Sequence, residues 1–501
     1  MNMAQQRSPE MALSDLLCLT DPMGIGSMAS GVLVRGIQID SRKVSPGDLF
    51  LALPGERHDG RQFIEQAVAS GAVAVVAEPP VGGYVDDIPV PLIEQAELQQ
   101  EIGVIAARFY DEPSRALHMI GVTGTNGKTT TSWLTAQLAR LMGKSCGVIG
   151  TLGATLGEDI SEATNTTPDA VSLQRKLADW RDMEVFSACM EVSSHALSQG
   201  RVNGVQFESA VFTNLSRDHL DYHGSMAAYG RAKMQLFAAE DLRHAIVNLD
   251  DSFAPQLLSM IERDVHVLTY SASGNQQADV VVGETQFHPG GVRAQLHSPW
   301  GSGEIASALP GDFNLANQAA AISAVALMTD DFDALLSAVG ELRAVPGRMQ
   351  SITNDLGLQL IVDYAHTPDA LEQVLQALRP HVTGSLITVF GCGGDRDSGK
   401  RPVMGRIASE QSDVCIVTSD NPRSEDPLAI MRDIESGCTG RYTLVSDRAE
   451  AIAMALNLAV AGDCVVIAGK GHEDYQIIEG ERLHFSDEEQ VFKAIALREA
   501  S

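Results

Sequence analysis

Short apolar runs alternate with amphipathic stretches along the middle of this chain. The apolar runs have the length and composition of buried strands, and the stretches between them repeat apolar residues at helical spacing. Alternation of this kind predicts an α/β fold with a mostly parallel sheet and helices on both faces. The strand candidates are Leu117–Val122, Cys146–Gly150, Phe186–Glu191, Ala210–Thr213 and Ala245–Asn248, and the helix candidates include Ala170–Arg181 and Met226–Ala239.

The regions on either side of this sheet predict smaller units. The first segment has the pattern of a small N-terminal α/β domain, and its last helix ends at a hinge, Asp111–Ser114. Its elements are the strands Leu49–Leu53 and Ala72–Ala77 and the helices Gln62–Ala69 and Leu98–Tyr110. Val265–Ser307 has many short β-like pieces and few helix signals, so we predict an antiparallel insertion before a helix at Asn314–Met328.

A second alternating pattern begins after Pro346-Gly347-Arg348 and predicts a C-terminal, Rossmann-like doubly wound sheet. Polar residues follow several of its strands, where ligands of such sheets bind. We therefore predict three domains, residues 1–112, 113–345 and 346–501. The strand candidates of the last domain are Leu358–Val362, Leu386–Phe390, Val414–Thr418, Thr443–Val445 and Cys464–Ala468.

Composition narrows the classes of function. The 501 residues carry a formal charge of −29, which repels nucleic acid and anionic membranes, so we predict small-molecule partners and no nucleic acid. The seven cysteines lack a Cys-x-x-Cys pair and favour reduced thiols over disulfides or zinc. No apolar run reaches the length of a membrane span, and the opening residues lack a signal-peptide core, which predicts a cytoplasmic protein.

One glycine-rich loop, Gly124–Thr130, lies between a strand candidate and a helix candidate. Backbone N–H groups at such a helix start, together with Lys128, are suited to bind a polyphosphate. The strict G-x-x-x-x-G-K-[ST] template fails at its first position, which Val122 occupies. The alternative is a glycine turn that happens to precede a lysine, but the strand and helix around the loop favour a nucleotide site.

Candidate metal ligands accompany this loop. The Thr129 hydroxyl can bind Mg²⁺ that bridges phosphates, and Glu191 ends an apolar strand candidate, where a second ligand would lie. A surface carboxylate is the alternative for Glu191. His219, in the segment Asp218–His223, is either a metal ligand or a residue that positions a carboxylate.

Other charged residues have more than one interpretation from sequence alone. Lys233 lies on a helix candidate and has the pattern of a solvated lysine. Arg348 can contact a phosphate or simply lie in a linker, and Asp363 ends a strand where acids of doubly wound sheets bind ribose. Asp420-Asn421-Pro422-Arg423 combines an acid, an amide and a guanidinium, which suits a zwitterionic ligand; a polar turn is the alternative.

These residues together resemble the Mur ligases. The resemblance covers nearly the whole chain in order, and in this family Asp-Asn-Pro-Arg is typical of members that use meso-diaminopimelate. The motifs that carry it are Gly124–Thr130, Asn165–Thr167, Met190–His195, Thr213–His223, Asp363–Pro368, Asp420–Arg423 and Gly469–Glu473.

The resemblance implies roles residue by residue. ATP would bind to Gly124, Thr125, Asn126, Gly127, Lys128, Thr129, Thr130, Asn317, Arg348 and Asp363. The UDP-muramoyl-dipeptide would bind to Ile39, Ser41, Asn165, Thr166, Thr167, Ser193, Gln199 and Arg201. Diaminopimelate would bind to Arg396, Asp420, Asn421, Pro422, Arg423, Gly469 and Glu473. Mg²⁺ would bind to Thr129, Glu191, His219 and Lys233 as a carbamate, and the catalytic residues would be Lys128, Glu191, His219, Lys233 and Arg348.

The implied activity is ATP-dependent amide formation by a monomer, through an acyl phosphate, with Mg²⁺ as cofactor. The N-terminal domain would hold the nucleotide-sugar peptide, the central domain ATP and the last domain the amino acid. Glu56-Arg57-His58 departs from the family pattern, so its contact with uridine stays open. The alternatives are a lysine-adding ligase, a folylpolyglutamate-type ligase, a regulatory switch or mechanical ATPase, and a pure binding module.

Overall fold

Buried aliphatic runs form the central strands of the three largest sheets in the described part of this protein. The structure is a computed structural model and describes residues 10–18, 31–55, 58–82, 88–157, 159–161 and 165–499, so Glu56 and Arg57 lie outside the described residues. The chain divides into two units, residues 1–269 and 270–501. The predicted domain boundaries at 112/113 and 345/346 stay predictions.

The first unit begins with a small parallel sheet whose strands follow one another in chain order. Its strands are Gly36–Gln38, Asp48–Ala52, Ala74–Ala77 and Leu92–Glu94, and the antiparallel pair Met11–Ala12 and Leu33–Val34 lies apart from them. The α-helices are Leu13–Leu16, Ile64–Ala69 and Leu98–Phe109, and the 3₁₀ helices are Ser41–Lys43, Gly60–Phe63 and Pro113–Ala116.

The larger sheet of this unit is parallel at its centre. Its strand order is Asp159–Ser161, Gly153–Leu156, Cys146–Gly150, Ser187–Glu191, His118–Thr123, Ser209–Phe212, His244–Asn248 and His266–Ser271, the first two being antiparallel additions. Its helices are Lys128–Leu141, Ala170–Asp182, Ser194–Ser198, Leu220–His223, Met226–Met234 and Ala254–Leu258, and the 3₁₀ helix is Gln235–Ala238. The Asp169 and Ser225 side chains cap two of these helices by accepting from backbone N–H groups.

The second unit opens with three antiparallel strands, Val280–His288, Gly291–Ser298 and Gly301–Ser307. The α-helices Asp312–Ala326 and Phe332–Ala338 and the 3₁₀ helix Val339–Glu341 follow. Tyr270 and Ser271 pair in parallel with the first of these strands, because residues 272–279 return the chain to run in the same direction. The predicted antiparallel insertion, Val265–Ser307, is therefore wrong at its start.

The last sheet has helices on both faces, as predicted for a doubly wound fold. Its strand order is Gln350–Ser351, Gln359–Asp363, Cys464–Ala468, Leu386–Phe390, Val414–Val417 and Tyr442–Leu444. Its α-helices are Pro368–Leu378, Lys400–Gln411, Pro427–Glu435, Arg448–Leu458 and Asp487–Glu499, with the 3₁₀ helix Arg379–His381. A separate antiparallel hairpin consists of Tyr475–Ile478 and Glu481–His484.

Two further predictions about the whole chain can be compared with the structure. All seven cysteines lie in the described part and are free thiols, and five of them are buried. Within the described ranges, every helix is too short or too polar to cross a membrane.

Candidate active site

The loop 124–127 joins a central strand of the large sheet to the helix Lys128–Leu141. Gly124 has φ +154°, and a Cβ there would lie 1.9 Å from the Thr213 hydroxyl oxygen, so only glycine fits. Gly127 has φ +83° at the residue before the helix. The loop therefore places backbone N–H groups at a helix N-terminus, where an anion binds favourably.

Side chains hold this loop in shape. The Asn126 backbone N–H donates to Asn214 Oδ1 at 2.9 Å, and the Thr213 hydroxyl donates to the Asn126 carbonyl oxygen at 2.6 Å. Lys128 Nζ donates to the carbonyl oxygens of Gly124 and Thr125, at 2.8 Å each. The ammonium group thus lies on the loop itself, within reach of a bound polyphosphate.

Glu191 is the buried acid of this region, with 1% of its surface exposed. Its Oε2 accepts from the hydroxyls of Thr129, at 2.9 Å, and Thr151, at 3.2 Å, while Oε1 accepts from the Thr151 N–H at 2.7 Å. The surface-carboxylate interpretation is therefore wrong. Thr151 was missed because it has no motif of its own and reaches Glu191 only through the fold.

This donor set fits Mg²⁺. Carboxylate and hydroxyl oxygens are hard ligands, and Mg²⁺ in nucleotide sites takes one or two protein ligands and completes its shell with phosphates and water. The described residues contain no group of three His, Cys, Asp or Glu side chains that could hold a metal ion alone. A magnesium ion here would therefore depend on the nucleotide for most of its ligands.

Two of the predicted dipeptide-binding residues contact the Glu191 region directly. The Thr166 and Thr151 hydroxyl oxygens are 3.2 Å apart. The buried Thr167 hydroxyl donates to the Glu191 carbonyl oxygen at 2.8 Å. A continuous set of hydrogen bonds therefore connects Thr129, on the nucleotide loop, with Thr166 and Thr167.

Three more predicted residues extend this set. The Ser193 N–H donates to Thr167 Oγ1 at 3.1 Å. Arg201 donates to the Thr167 carbonyl oxygen at 3.1 Å and to Gln199 Oε1 at 2.6 Å. The remaining residues of the set lie elsewhere in the same unit: Ser41 is buried and its hydroxyl donates to Gln66 at 3.2 Å, Ile39 is half-buried, and Asn165 is exposed.

Lys233 is 1% exposed, so the interpretation as a solvated lysine is wrong. Its Nζ donates to the Gly124 carbonyl oxygen at 2.7 Å and lies 4.3 Å from the centre of the Tyr229 ring. Burial, and then the nearby charge of Lys128, hold the Lys233 pKa well below its usual range. An amine in this environment is biased towards its neutral, nucleophilic form.

His219 also lies close to the ring of Tyr229. Its ring centre is 6.0 Å from that of Tyr229 and 4.8 Å from that of His195, and its Nε2 is 3.5 Å from Asp218 Oδ2. Burial, followed by the His219 and His223 charges, lowers the pKa of His195. The structure therefore brings the predicted histidine and lysine together around Tyr229, a residue that no motif marks as functional.

In the second unit, the residues predicted to contact the nucleotide have structural partners. Asp363 is buried, accepts from the N–H groups of Met349 and Ala365 at 2.7 Å each, and burial raises its pKa. The Arg348 guanidinium carbon lies 4.5 Å from the centre of the Tyr364 ring. Asn317 is buried on the helix Asp312–Ala326.

The predicted amino-acid site is a cluster of charges at the carboxyl ends of strands. Asn421 Nδ2 donates to Glu473 Oε2 at 3.0 Å. Lys470, which is fully buried, lies 3.2 Å from Glu473 Oε2, 3.6 Å from Asp420 Oδ1 and 3.3 Å from Asn421 Oδ1. Gly469 has φ +121°, and a Cβ there would approach Asp420 Oδ2 to 3.3 Å.

Arg423 and Arg396 complete the predicted set. Arg423 Nη1 donates to the Gly394 carbonyl oxygen at 2.7 Å, and its backbone has φ +54°. Pro422, just before it, carries a carbonyl oxygen that accepts from the Glu425 N–H at 3.0 Å. Arg396 is exposed. The structure thus brings Asp420, Asn421 and Glu473 together around Lys470, while Arg396 lies at the surface.

Comparison with known proteins places this geometry in a family. Models of the Mur ligase family match along the chain: the Mur ligase family catalytic domain at residues 33–110, the Mur ligase middle domain at 122–325 and the Mur ligase glutamate ligase domain at 347–471. A protein of Ectopseudomonas mendocina named UDP-N-acetylmuramoyl-L-alanyl-D-glutamate--2,6-diaminopimelate ligase is 48% identical over 94% of this chain and 97% of its own. The chain belongs to the Mur ligase family.

Other relatives agree with this assignment. A protein of the same name from Pseudomonas aeruginosa is 47% identical over 93% of this chain and 96% of its own. A solved structure with that name matches at a TM-score of 0.71 and 41% identity, covering 93% of this chain and 96% of the other. The three-domain Mur ligase fold predicted from the motifs is therefore confirmed.

The structure also contains buried charged residues, one inside a Mur ligase motif and two outside, whose importance the sequence did not reveal. Lys470 lies inside Gly469–Glu473 but was given no role, although it contacts three members of the predicted amino-acid site. Arg448 and Asp487 form a fully buried ion pair with two 2.7 Å hydrogen bonds. Arg448 also donates to the Ala468 carbonyl oxygen at 3.0 Å, at the strand end before Gly469. Only the fold brings these partners together.

Proposed function

We propose that this protein is an ATP-dependent amide ligase that adds meso-2,6-diaminopimelate to UDP-N-acetylmuramoyl-L-alanyl-D-glutamate, in peptidoglycan precursor synthesis. Relatives at 47–48% identity over nearly the full chain carry this activity in their names. The observation that carries the proposal is the set of hydrogen bonds from Thr129 through Glu191 to Thr166 and Thr167. It supports a site in which a nucleotide phosphate and the dipeptide meet at one buried carboxylate.

The reaction has two steps. The γ-carboxylate of D-glutamate attacks the γ-phosphorus of ATP, which forms an acyl phosphate and releases ADP. The neutral amino group of diaminopimelate then attacks the acyl carbon, the C–O bond to phosphate breaks, and the nitrogen loses a proton as the amide forms. Holding both reactants in place supplies about 7–11 kcal/mol of the barrier reduction, since it replaces an encounter in solution.

The nucleotide loop binds and neutralises the phosphates in this proposal. The N–H groups of Gly124–Thr130 hold the phosphate oxygens, and Lys128 turns from its loop carbonyls towards them. Arg348 contacts the transferred phosphate, while Asn317 and Asp363 contact the nucleoside. Thr129 and Glu191 would hold Mg²⁺, which when bound supplies neutralisation of the charge that builds up between carboxylate and triphosphate.

We further propose that Lys233 is modified. A neutral amine adds CO₂ to give a carbamate and a proton, and the lowered pKa of Lys233 favours that form. The resulting anion, together with His219, which also lies near Tyr229, would offer oxygen and nitrogen ligands for a second Mg²⁺.

The remaining roles follow from the resemblance to the Mur ligases. Ile39, Ser41, Asn165, Thr166, Thr167, Ser193, Gln199 and Arg201 hold the UDP-muramoyl-dipeptide. Arg396, Asp420, Asn421, Pro422, Arg423, Gly469 and Glu473 hold diaminopimelate. Arg423 binds the distal carboxylate, which L-lysine lacks, because a guanidinium matches a carboxylate with paired hydrogen bonds. We expect a cytoplasmic monomer, with domains at 1–112, 113–345 and 346–501.

Phosphate release tests the proposal most simply. We expect release only when ATP, the UDP-muramoyl-dipeptide and an amino acid are all present, and faster release with meso-diaminopimelate than with L-lysine. Faster turnover with lysine would redirect the proposal to the lysine-adding reaction. Phosphate release that is as fast without any amino acid as with meso-diaminopimelate would contradict amide formation.

A further inference from the structure

The hairpin formed by Tyr475–Ile478 and Glu481–His484 stands apart from the six-stranded sheet of the second unit. Its outer strand, Glu481–His484, is exposed along its whole length, so the hairpin contributes little to the hydrophobic core. Its inner strand lies against Asp420–Arg423 instead. This placement calls for an explanation other than stability.

Four hydrogen bonds connect the hairpin to this four-residue loop. The Gln476 side chain donates to the Asp420 carbonyl oxygen at 2.8 Å, and the Ile477 N–H donates to Asn421 Oδ1 at 3.0 Å. The Arg423 N–H donates to the Ile477 carbonyl oxygen at 2.9 Å, and the Glu479 N–H donates to the Arg423 carbonyl oxygen at 2.7 Å. The hairpin therefore holds both ends of the loop and its central amide.

Arg423 needs this support. Its φ of +54° is in the left-handed region, which a non-glycine residue adopts at a cost of about 1–2 kcal/mol. Hydrogen bonds on both its N–H and its carbonyl fix the backbone in this conformation and so direct the side chain, whose Nη1 lies 2.7 Å from the Gly394 carbonyl oxygen. A glycine would adopt this φ more readily but would carry no guanidinium.

We propose that the hairpin is a specificity-determining element of the amino-acid site and that Gln476 is its positioning residue. This inference rests on the proposed function. Gln476 holds the Asp420 backbone, and the main chain of the hairpin holds Asn421 and Arg423, so the acid, the amide and the guanidinium keep fixed positions in the proposed amino-acid site. The element selects for a second carboxylate on the amine substrate without contacting that substrate itself.

The test uses the full-length protein and two variants that remove the donor, Gln476→Ala and Gln476→Met. Glu481→Ala, at an exposed position of the same hairpin, is the matched control. We expect KM for meso-diaminopimelate to rise about three- to tenfold in both Gln476 variants, the range for one lost hydrogen bond. KM for ATP and kcat should stay within about twofold, and the ratio of kcat/KM for diaminopimelate over L-lysine should fall.

A purely structural role would give a different pattern. It would lower the melting temperature and the active fraction for all substrates equally, leaving the diaminopimelate-to-lysine ratio unchanged, and that result would overturn the inference. Unchanged KM in a folded Gln476→Met protein would overturn it too. Failure of the proposed function can be told apart from failure of this inference. In that case, phosphate release by the unaltered protein would not depend on diaminopimelate.

Discussion

Two lysines of this protein are almost completely buried, and their surroundings are opposite in kind. Lys233, beside the nucleotide loop, is 1% exposed and donates to a backbone carbonyl, and its pKa is lowered by burial and then by the charge of Lys128. Lys470, in the amino-acid site, is fully buried and lies within 3.6 Å of two carboxylates. The same residue type is biased towards a neutral amine at one site and compensated as a cation at the other.

The difference teaches how each site handles charge. In the nucleotide region, the groups that contact Glu191 are hydroxyls and N–H groups. The charges of the triphosphate and of Mg²⁺ would enter this region only with the ligand. In the amino-acid region the protein supplies both signs itself, and Lys470 balances Asp420 and Glu473. A buried charge that loses its partner is costly, whereas a buried neutral amine is less so.

The largest effect on stability is expected at Lys470. Lys470→Met leaves two carboxylates without their cation, so the free energy of unfolding should fall by about 3–5 kcal/mol, measured by denaturant titration. The double variant Lys470→Met/Glu473→Gln removes one of these charges and should recover part of the loss. If Lys470→Met were as stable as the unaltered protein, Lys470 would not be a cation that these carboxylates need, and its contrast with Lys233 would fail.

The next largest effect is on catalysis. Lys233→Arg replaces an amine of lowered pKa with a group that stays charged and cannot form a carbamate. We expect kcat to fall about 10²–10³-fold. Lys493→Ala, at an exposed lysine of the last helix, is the control and should retain full activity. Carbon-13-labelled bicarbonate should give a carbamate signal in the unaltered protein; normal turnover in Lys233→Arg would contradict the role proposed for this lysine.

Charge reversal tests the second site. Arg423→Glu should lower kcat/KM for meso-diaminopimelate about 10–100-fold, since a charged hydrogen-bonded contact becomes a repulsive one. The KM for ATP should change little. Unchanged kinetics with diaminopimelate would reject the assigned role of Arg423.

The smallest effect is on stability at Lys233. Because burial lowers its pKa from the ordinary value of 10.5, the unfolded chain binds one more proton than the folded protein between the folded-state pKa and 10.5. Stability from this group therefore rises with pH through that window and is lowest below it. In bicarbonate-free buffer, Lys233→Met should be more stable at pH 7 by about 1–2 kcal/mol, and the difference should shrink towards pH 10. A variant that is less stable at pH 7 would oppose the assignment.

The sequence predicted the central strands of the large sheet of the first unit and of the six-stranded sheet of the second unit well, because their buried residues form unbroken apolar runs. Cys146–Gly150, Leu386–Phe390 and Cys464–Ala468 have the bounds that the pattern predicts. The hairpin at Tyr475–His484 was missed because half of it is exposed and carries no alternating pattern. The strand Gly153–Leu156 was missed because it is short and its buried positions are Gly153 and Thr155, so it carries no apolar run.

The candidate site also divides into residues that a local motif predicts and residues that only the fold reveals. Gly124–Thr130 and Asp420–Arg423 are local motifs, so the sequence reveals them. Burial of Lys233 depends on residues distant in the chain, and the pattern of its helix alone predicted the opposite. Lys470 and Gln476 act through partners about 50 residues away, Asn421 and Asp420, and no local spacing indicates those contacts.

Mass analysis of the product tests the central claim most directly. The purified protein is incubated with ATP, UDP-N-acetylmuramoyl-L-alanyl-D-glutamate and meso-diaminopimelate. We predict a single new nucleotide-sugar peptide whose mass equals the two substrates less one water, formed with one ADP and one phosphate. ATP consumption without any such product, at a rate independent of both acceptors, would contradict the account.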